Sequence, residues 1–225
     1  MAEIRNHLED DEDQELERAK QLWRDYGKPI LGGIIIAAIA VLGWQWWQNH
    51  QESRQQAASL RYSQLITLVS SAQSLDDKTR SSALDLANQL KSDFGGTLYA
   101  DLAGLIEARV LVENDSLDKA AQALENLIDR TDRSYVRSLA QLDLARIQLA
   151  QSSPEQALAT LDKSDISGAL EARALDVRGD ILKALDRPAD ARKAWQQAQQ
   201  TAQENNQPAF GIQLKLDDLA PAEAS

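Results

Sequence analysis

The 225-residue chain is poor in reactive side chains. It has no cysteine, and its two histidines, His7 and His50, lie on opposite sides of a long apolar run. Disulfides, thiolate metal sites and thiol nucleophiles are therefore excluded. General-base or nucleophile roles would fall to carboxylates, lysine, serine or tyrosine. No G-x-S-x-G, phosphate-cradling glycine loop or H-E-x-x-H is present. The carboxylates recur with cations within helical reach, as in Asp118-Lys119 and Asp186-Arg187-Asp190, which is the pattern of solvated helix surfaces. No catalytic site, metal site or cofactor is expected. Two arginines stand apart. Arg109 and Arg146 occupy matching places amid Leu105, Val112, Leu142 and Leu149, and Asp180 holds the corresponding place further on. A guanidinium in apolar company suits a carboxylate or a backbone carbonyl of an extended segment. The competing assignment is internal pairing with Glu107, Glu113 or Asp143.

For these residues to share one surface, the chain must repeat. Only 5% of it is aromatic, and four of the five tryptophans lie in or beside the apolar run. The rest must build its core from alanine and leucine, which favours close-packed helices over sheets. Helices are expected near 53–73, 78–92, 97–113, 116–129, 133–150, 153–162, 169–185, 188–203 and 207–219. Ser153-Pro154-Glu155 and Asp186-Arg187-Pro188 read as helix starts. Three stretches align: NDSLDKAAQALENL, QSSPEQALATLDKS and LDRPADARKAWQQA. Each has alanine followed four residues later by a large apolar residue: Ala120 and Leu124, Ala157 and Leu161, Ala191 and Trp195. Twelve residues before each alanine stands a small residue, Ala108, Ala145 or Gly179, in the middle of the preceding helix. Helices about 10 Å across pack closely only where one offers a small residue at the crossing.

The pattern resembles the tetratricopeptide repeat, without that repeat's usual Trp and Tyr in the first helix or its closing Pro. The first pair, 53–92, fits loosely. Phe210, Ile212, Leu214, Leu216 and Leu219 suit a capping helix at the end of such an array. The fold class is thus all-α: one N-terminal transmembrane helix, then a tetratricopeptide-repeat-like α-solenoid of about four helix pairs with a C-terminal cap. The first helices of the pairs line a concave face bearing Arg109, Arg146 and Asp180.

The apolar run gives the domain boundaries. Residues 29–48 contain no charge and are long enough to cross a bilayer core of about 30 Å. No small-residue cleavage site follows, so the segment is retained. Trp44, Trp46 and Trp47 suit the far membrane interface, and Trp23 and Tyr26 the near one. Arg18, Lys20, Arg24 and Lys28 precede the span, whereas only Arg54 and Arg61 follow at similar distance. This bias places residues 1–28, an acidic tail with a short amphipathic helix, in the cytoplasm and residues 49–225 outside. The net charge of −11, without any Lys/Arg cluster, argues against nucleic acid as a partner.

The order of parts resembles the YfgM family. The residues that carry the likeness are the basic-aromatic helix before the span, the G-W-Q-W-W exit, LARIQLAQSSPEQALATLDK and DVRGDILKALDRPADARKAWQQA. The resemblance implies an ancillary, non-enzymatic subunit of the SecYEG translocon in a bacterial inner membrane. It also implies a periplasmic domain that, with the anchored chaperone PpiD, passes exported polypeptides to periplasmic chaperones. The sequence pattern itself reaches only an anchored interaction module in a lipid bilayer. Two other readings fit that pattern: a scaffold for envelope assembly or cell division, and an envelope hydrolase, which would need a compact pocket with perturbed carboxylates.

Overall fold

The computed structural model describes the backbone of residues 2–70, 76–209 and 211–219, and their side chains apart from those of 2–19 and 21–36. The chain divides into two units, Met1–Arg54 and Gln55–Ser225. Every regular element among the described residues is helical. These are α1 (Ala2–Ser70), α2 (Asp77–Asp93), α3 (Leu98–Glu113), α4 (Leu117–Arg130), α5 (Ser134–Ala150), α6 (Pro154–Asp162), α7 (Glu171–Ala184), α8 (Pro188–Glu204) and α9 (Ile212–Asp218). A single 3-10 turn, Gly168–Leu170, leads into α7.

In the first unit α1 runs unbroken through Gly27 and Pro29. A proline removes one hydrogen bond, a cost of about 3 kcal/mol that a long ladder absorbs. Among the described residues no helix is long and apolar enough to cross a membrane. The first part of the expected span, residues 29–36, has its side chains outside that description, as do Trp23 and Tyr26. Further along α1, Ile39, Val41, Leu42, Trp44, Trp46 and Trp47 are all exposed.

The second unit is a run of antiparallel helix pairs. The last turns of α1 pair with α2, α3 with α4, α5 with α6, and α7 with α8, and α9 closes the end. From α2 onward each helix packs on the next, and α3 also touches α5 as α5 touches α7. The core consequently divides into layers. Ala58 and Leu65 of α1 meet Ala83, Ala87 and Leu90 of α2. Ala108 of α3 joins Ala120, Leu124 and Leu127 of α4 in a second layer. Ala145 of α5 joins Ala157 and Leu161 of α6 with Val177 and Ile181 of α7. Ala191 and Trp195 of α8 form the last layer with Leu182 and Ile212.

The turns within the last three pairs share one geometry. Asp115, Ser152 and Asp186 all adopt positive φ, between 56° and 59°. Each sits in a double closure of the preceding helix. Ser116, Ser153 and Arg187 donate backbone N–H groups to the carbonyls of Leu111, Gln148 and Leu182, while the positive-φ residue itself donates to Val112, Leu149 or Lys183. This satisfies carbonyls that a helix end leaves orphaned. The three residues recur at the same intervals, 37 and then 34, as Ala108, Ala145 and Gly179. Pro154 and Pro188 then open the second helices at their first turn, where a missing N–H costs nothing.

Gly179 shows how tight the crossing is. A Cβ there would fall 2.2 Å from Trp195 Nε1 and 2.4 Å from its Cδ1. Trp195 is 1% exposed and donates Nε1–H to the Asp176 carbonyl at 3.1 Å, so the indole cannot swing aside. Gly104 differs, because its Cβ would meet Leu127 at 3.4–3.8 Å, ordinary contact. Gly179→Ala should therefore lose about 1–3 kcal/mol by overpacking despite alanine's better helix propensity. Gly104→Ala should be neutral or gain up to about 1 kcal/mol. Thermal unfolding followed by far-UV circular dichroism checks both, and equal effects would contradict this account of the crossing.

Candidate functional site

Where α3 and α5 lie side by side they leave a groove of about 400 Å3. Its apolar lining is Leu105, Ala108 and Val112 from α3, Leu124 from α4 and Ile147 from α5. Arg109 and Glu113 edge one wall, Asp143 and Arg146 the other. Arg109 Nε donates to Glu113 Oε1 at 2.9 Å, and an Arg146 guanidinium nitrogen to Asp143 Oδ1 at 3.2 Å. Both pairs are local, within one helical turn, and at least 39% exposed on every side chain. Such pairs contribute about 0.3–0.5 kcal/mol, so a guanidinium can exchange its carboxylate for an incoming one at little cost. Burial pushes the Asp143 carboxyl up from its ordinary pKa, and Arg146 and Arg173 only partly draw it back.

Arg146 also edges a second hollow of about 440 Å3, bounded by Tyr135, Arg173, Asp176 and the 207–209 turn before α9. Tyr135 is 59% exposed there. The arginine thus stands on the ridge between two neighbouring depressions.

The structure brings together Leu105, Arg109, Val112 and Arg146. It does not bring the remaining residues expected at the groove. Leu142 is fully buried, and Leu149 is half-buried beside it, both in the layer with Ala145, Ala157 and Leu161. Positions 142, 145 and 149 form one helical row facing α6, whereas Arg146 lies a step around the helix. Asp180 is an internal ligand instead. Lys215 Nζ of α9 donates to Asp176 Oδ1 at 2.7 Å and to Asp180 Oδ2 at 2.8 Å. The same ammonium lies 5.8 Å from the Trp195 ring centroid, a cation–π distance. Burial raises the Asp180 pKa, Lys215 opposes this, and Asp176 adds to it as a like charge. Burial works against the Lys215 ammonium too, but its two carboxylate partners outweigh that and leave its pKa raised. The sequence held no cue to this clasp, whose members are 35 and 39 residues apart. Leu214, expected in the cap core, is 74% exposed, and Phe210 lies outside the described residues.

A second polar knot fixes the start of α5. Asp101, 2% exposed, accepts from Thr131 Oγ1 at 2.7 Å and from Arg133 at 2.9 Å, and Arg133 also donates to the Gly96 carbonyl. In α1, Trp46 stacks on His50 and Trp44 leans on Trp47. Among the described residues no group of three or more His, Asp or Glu could hold a metal ion.

Residues 20–221 match the tetratricopeptide repeat-like domain. An ancillary SecYEG translocon subunit of Aggregatibacter actinomycetemcomitans is 31% identical over 93% of this chain and 98% of its own length. The chain belongs to this family. Proteins of the same name from Escherichia coli and Haemophilus influenzae are each 28% identical, over 94% and 93% of the chain and 98% of their own lengths. Among solved structures, TPR-like repeats of a kinesin light chain from Podospora anserina superpose with a TM-score of 0.50 at 14% identity. They cover 76% of this chain and 84% of that one, a likeness of fold alone.

The Lys215 clasp has a pH signature. A raised lysine pKa gives stability that is fully present below the unfolded value, about 10.4, and lost as pH rises through the folded value. A raised aspartate pKa likewise favours the fold at low pH and loses that contribution as pH rises. Lys215→Met leaves Asp176 and Asp180 facing each other without a counter-charge. The cost at pH 7 should be about 1–2 kcal/mol, less than for a fully buried pair because all three groups are partly exposed. That deficit relative to the wild type should shrink as pH falls from 7 towards 4, as the Asp180 carboxyl, whose pKa burial raises, takes up its proton. Paired denaturant melts across this range measure it, and a pH-independent deficit would contradict the clasp.

Proposed function

We propose that this chain is a membrane-anchored, non-enzymatic interaction module that associates with the SecYEG translocon. In this reading residues 29–48 cross a bacterial inner membrane and residues 1–28 stay in the cytoplasm. The repeat domain, residues 49–225, lies in the periplasm and helps pass exported polypeptides to a PpiD-type chaperone. The observation that carries the reading is the end-to-end match, over 98% of their length, to relatives named ancillary SecYEG translocon subunits.

Other features support it. The apolar side chains from Ile39 to Trp47 are exposed among the described residues, and such a row calls for lipid or a partner. Arg18, Lys20, Arg24 and Lys28 crowd the N-terminal side of the span. Trp44, Trp46 and Trp47 would sit at the far interface, with Trp23 and Tyr26 at the near one.

The groove between α3 and α5 suits an extended segment. Leu105, Val112 and Ile147 would receive one apolar side chain, and Arg109 and Arg146 a carboxylate or carbonyl beside it. Burying one such side chain gives about 1.5–3 kcal/mol and a charge-assisted bond about as much. The sum corresponds to affinities near millimolar. That strength fits brief contact with a passing chain held at high local concentration by the anchor.

A photo-crosslinking residue in place of Val112, activated in intact membranes, tests the proposal. Translocon subunits and exported chains should be captured, and Arg109→Ala/Arg146→Ala should lower the yield for exported chains several-fold. Capture of division or envelope-assembly proteins alone would favour the scaffold reading and overturn this one.

A further inference from the structure

A different groove, between α2 and α4, has a chemistry that the α3–α5 groove lacks. Its volume is about 500 Å3, and Leu84, Leu111 and Ala123 make its apolar part. One wall is a row on α4: Lys119, Gln122, Asn126 and Arg130, at helical spacings of three, four and four. All four are exposed. None has a hydrogen-bond or ion-pair partner among the described residues. Asn88 of α2 faces the same groove and is likewise exposed. The third cation, Lys91, is bonded to Glu107, the only carboxylate in the lining. The groove is therefore left with two uncompensated positive charges in a chain of net charge −11. By contrast, Arg109, Arg146 and Arg187 each hold a carboxylate three or four residues away.

We infer that this groove docks an extended acidic peptide segment, clamped at its two ends by Lys119 and Arg130. The amides between the cations are the right groups for a main chain. Each carries a donor and an acceptor, matching the carbonyl and N–H of a peptide unit. The spacing sets the ligand. Lys119 and Arg130 are separated by 11 helical residues, about 16 Å at 1.5 Å per residue. In an extended segment the first and fifth residues point to the same face and stand about 13 Å apart. The long cationic side chains close the difference. The preferred segment thus carries Asp or Glu at its first and fifth positions, with small or apolar residues between them over Leu84, Leu111 and Ala123. This site does not depend on which partner complex occupies the α3–α5 groove.

The test uses the full-length protein in detergent micelles and two capped, fluorescein-labelled pentapeptides. One has Glu at positions 1 and 5, the other Lys, and both have Ala-Val-Ala between. Fluorescence polarisation should show saturable binding of the Glu peptide, at least tenfold tighter than of the Lys peptide and weakened by raising the salt. Lys119→Glu/Arg130→Glu should reduce Glu-peptide binding at least tenfold and improve Lys-peptide binding. Gln122→Ala/Asn126→Ala, which leaves the charges in place, should weaken the Glu peptide several-fold. Arg109→Ala/Arg146→Ala should leave it unchanged. No saturable binding, equal binding of the two peptides, or loss of binding in the Arg109/Arg146 variant instead of the Lys119/Arg130 variant would each overturn the inference.

Discussion

The whole repeat domain depends on letting two helices approach where one of them has almost no side chain. Gly179 against Trp195 is the extreme case, since a single methyl group has no room there. Ala145 with Ala157 and Ala108 with Ala120 are milder versions of the same contact. Such crossings let helices with a core mostly of alanine and leucine approach closely enough to exclude water. The cost is that every crossing is sensitive to added volume. The gain is a set of pairs stacked closely enough for α3 to touch α5 and α5 to touch α7.

The grooves follow from that stacking. First helices stand side by side on one face, leaving the hollow edged by Arg109 and Arg146. Second helices stand on another, leaving the hollow edged by Lys119 and Arg130. The electrostatics divide in the same way. Ion pairs that hold the architecture are partly or fully buried and join different helices: Asp101 with Arg133, Lys91 with Glu107, Lys215 with Asp176 and Asp180. Pairs edging the first groove are exposed and local. Charges that hold the fold are therefore costly to remove, whereas the exposed local pairs at the first groove are cheap to reassign. That is the property a transient binding surface needs.

Much of this was legible in the residues. The intervals of 37 and 34 residues between small positions located the pairs, and the helix limits near 97–113, 133–150 and 188–203 lie within one residue of α3, α5 and α8. Proline at the first turn marked α6 and α8 because it is tolerated there and disfavoured elsewhere. The turns were harder. Asp115, Ser152 and Asp186 take a backbone conformation usually signalled by glycine, so their repetition showed only in the torsion angles. The groove was half legible. Spacing alone put Arg109 and Arg146 on matching sites, but which neighbours share their face depends on helix rotation, and this sent Leu142 into the core. Asp180 followed the repeat register, yet the register says nothing of α9, whose Lys215 captures it. Contacts between the cap and the last pair are set by tertiary docking, which no local pattern encodes.

If the domain is an array in which each pair is held by its neighbours, damage must stay local. Native-state hydrogen exchange on the full-length protein carrying Ala191→Leu, at the last crossing, tests this most directly. Ala191 is fully buried, so the added bulk must disturb α7, α8 and α9. The account predicts faster exchange in those three helices, with α3 and α4 keeping wild-type protection. An equal loss of protection in every helix from α2 to α9 would contradict it.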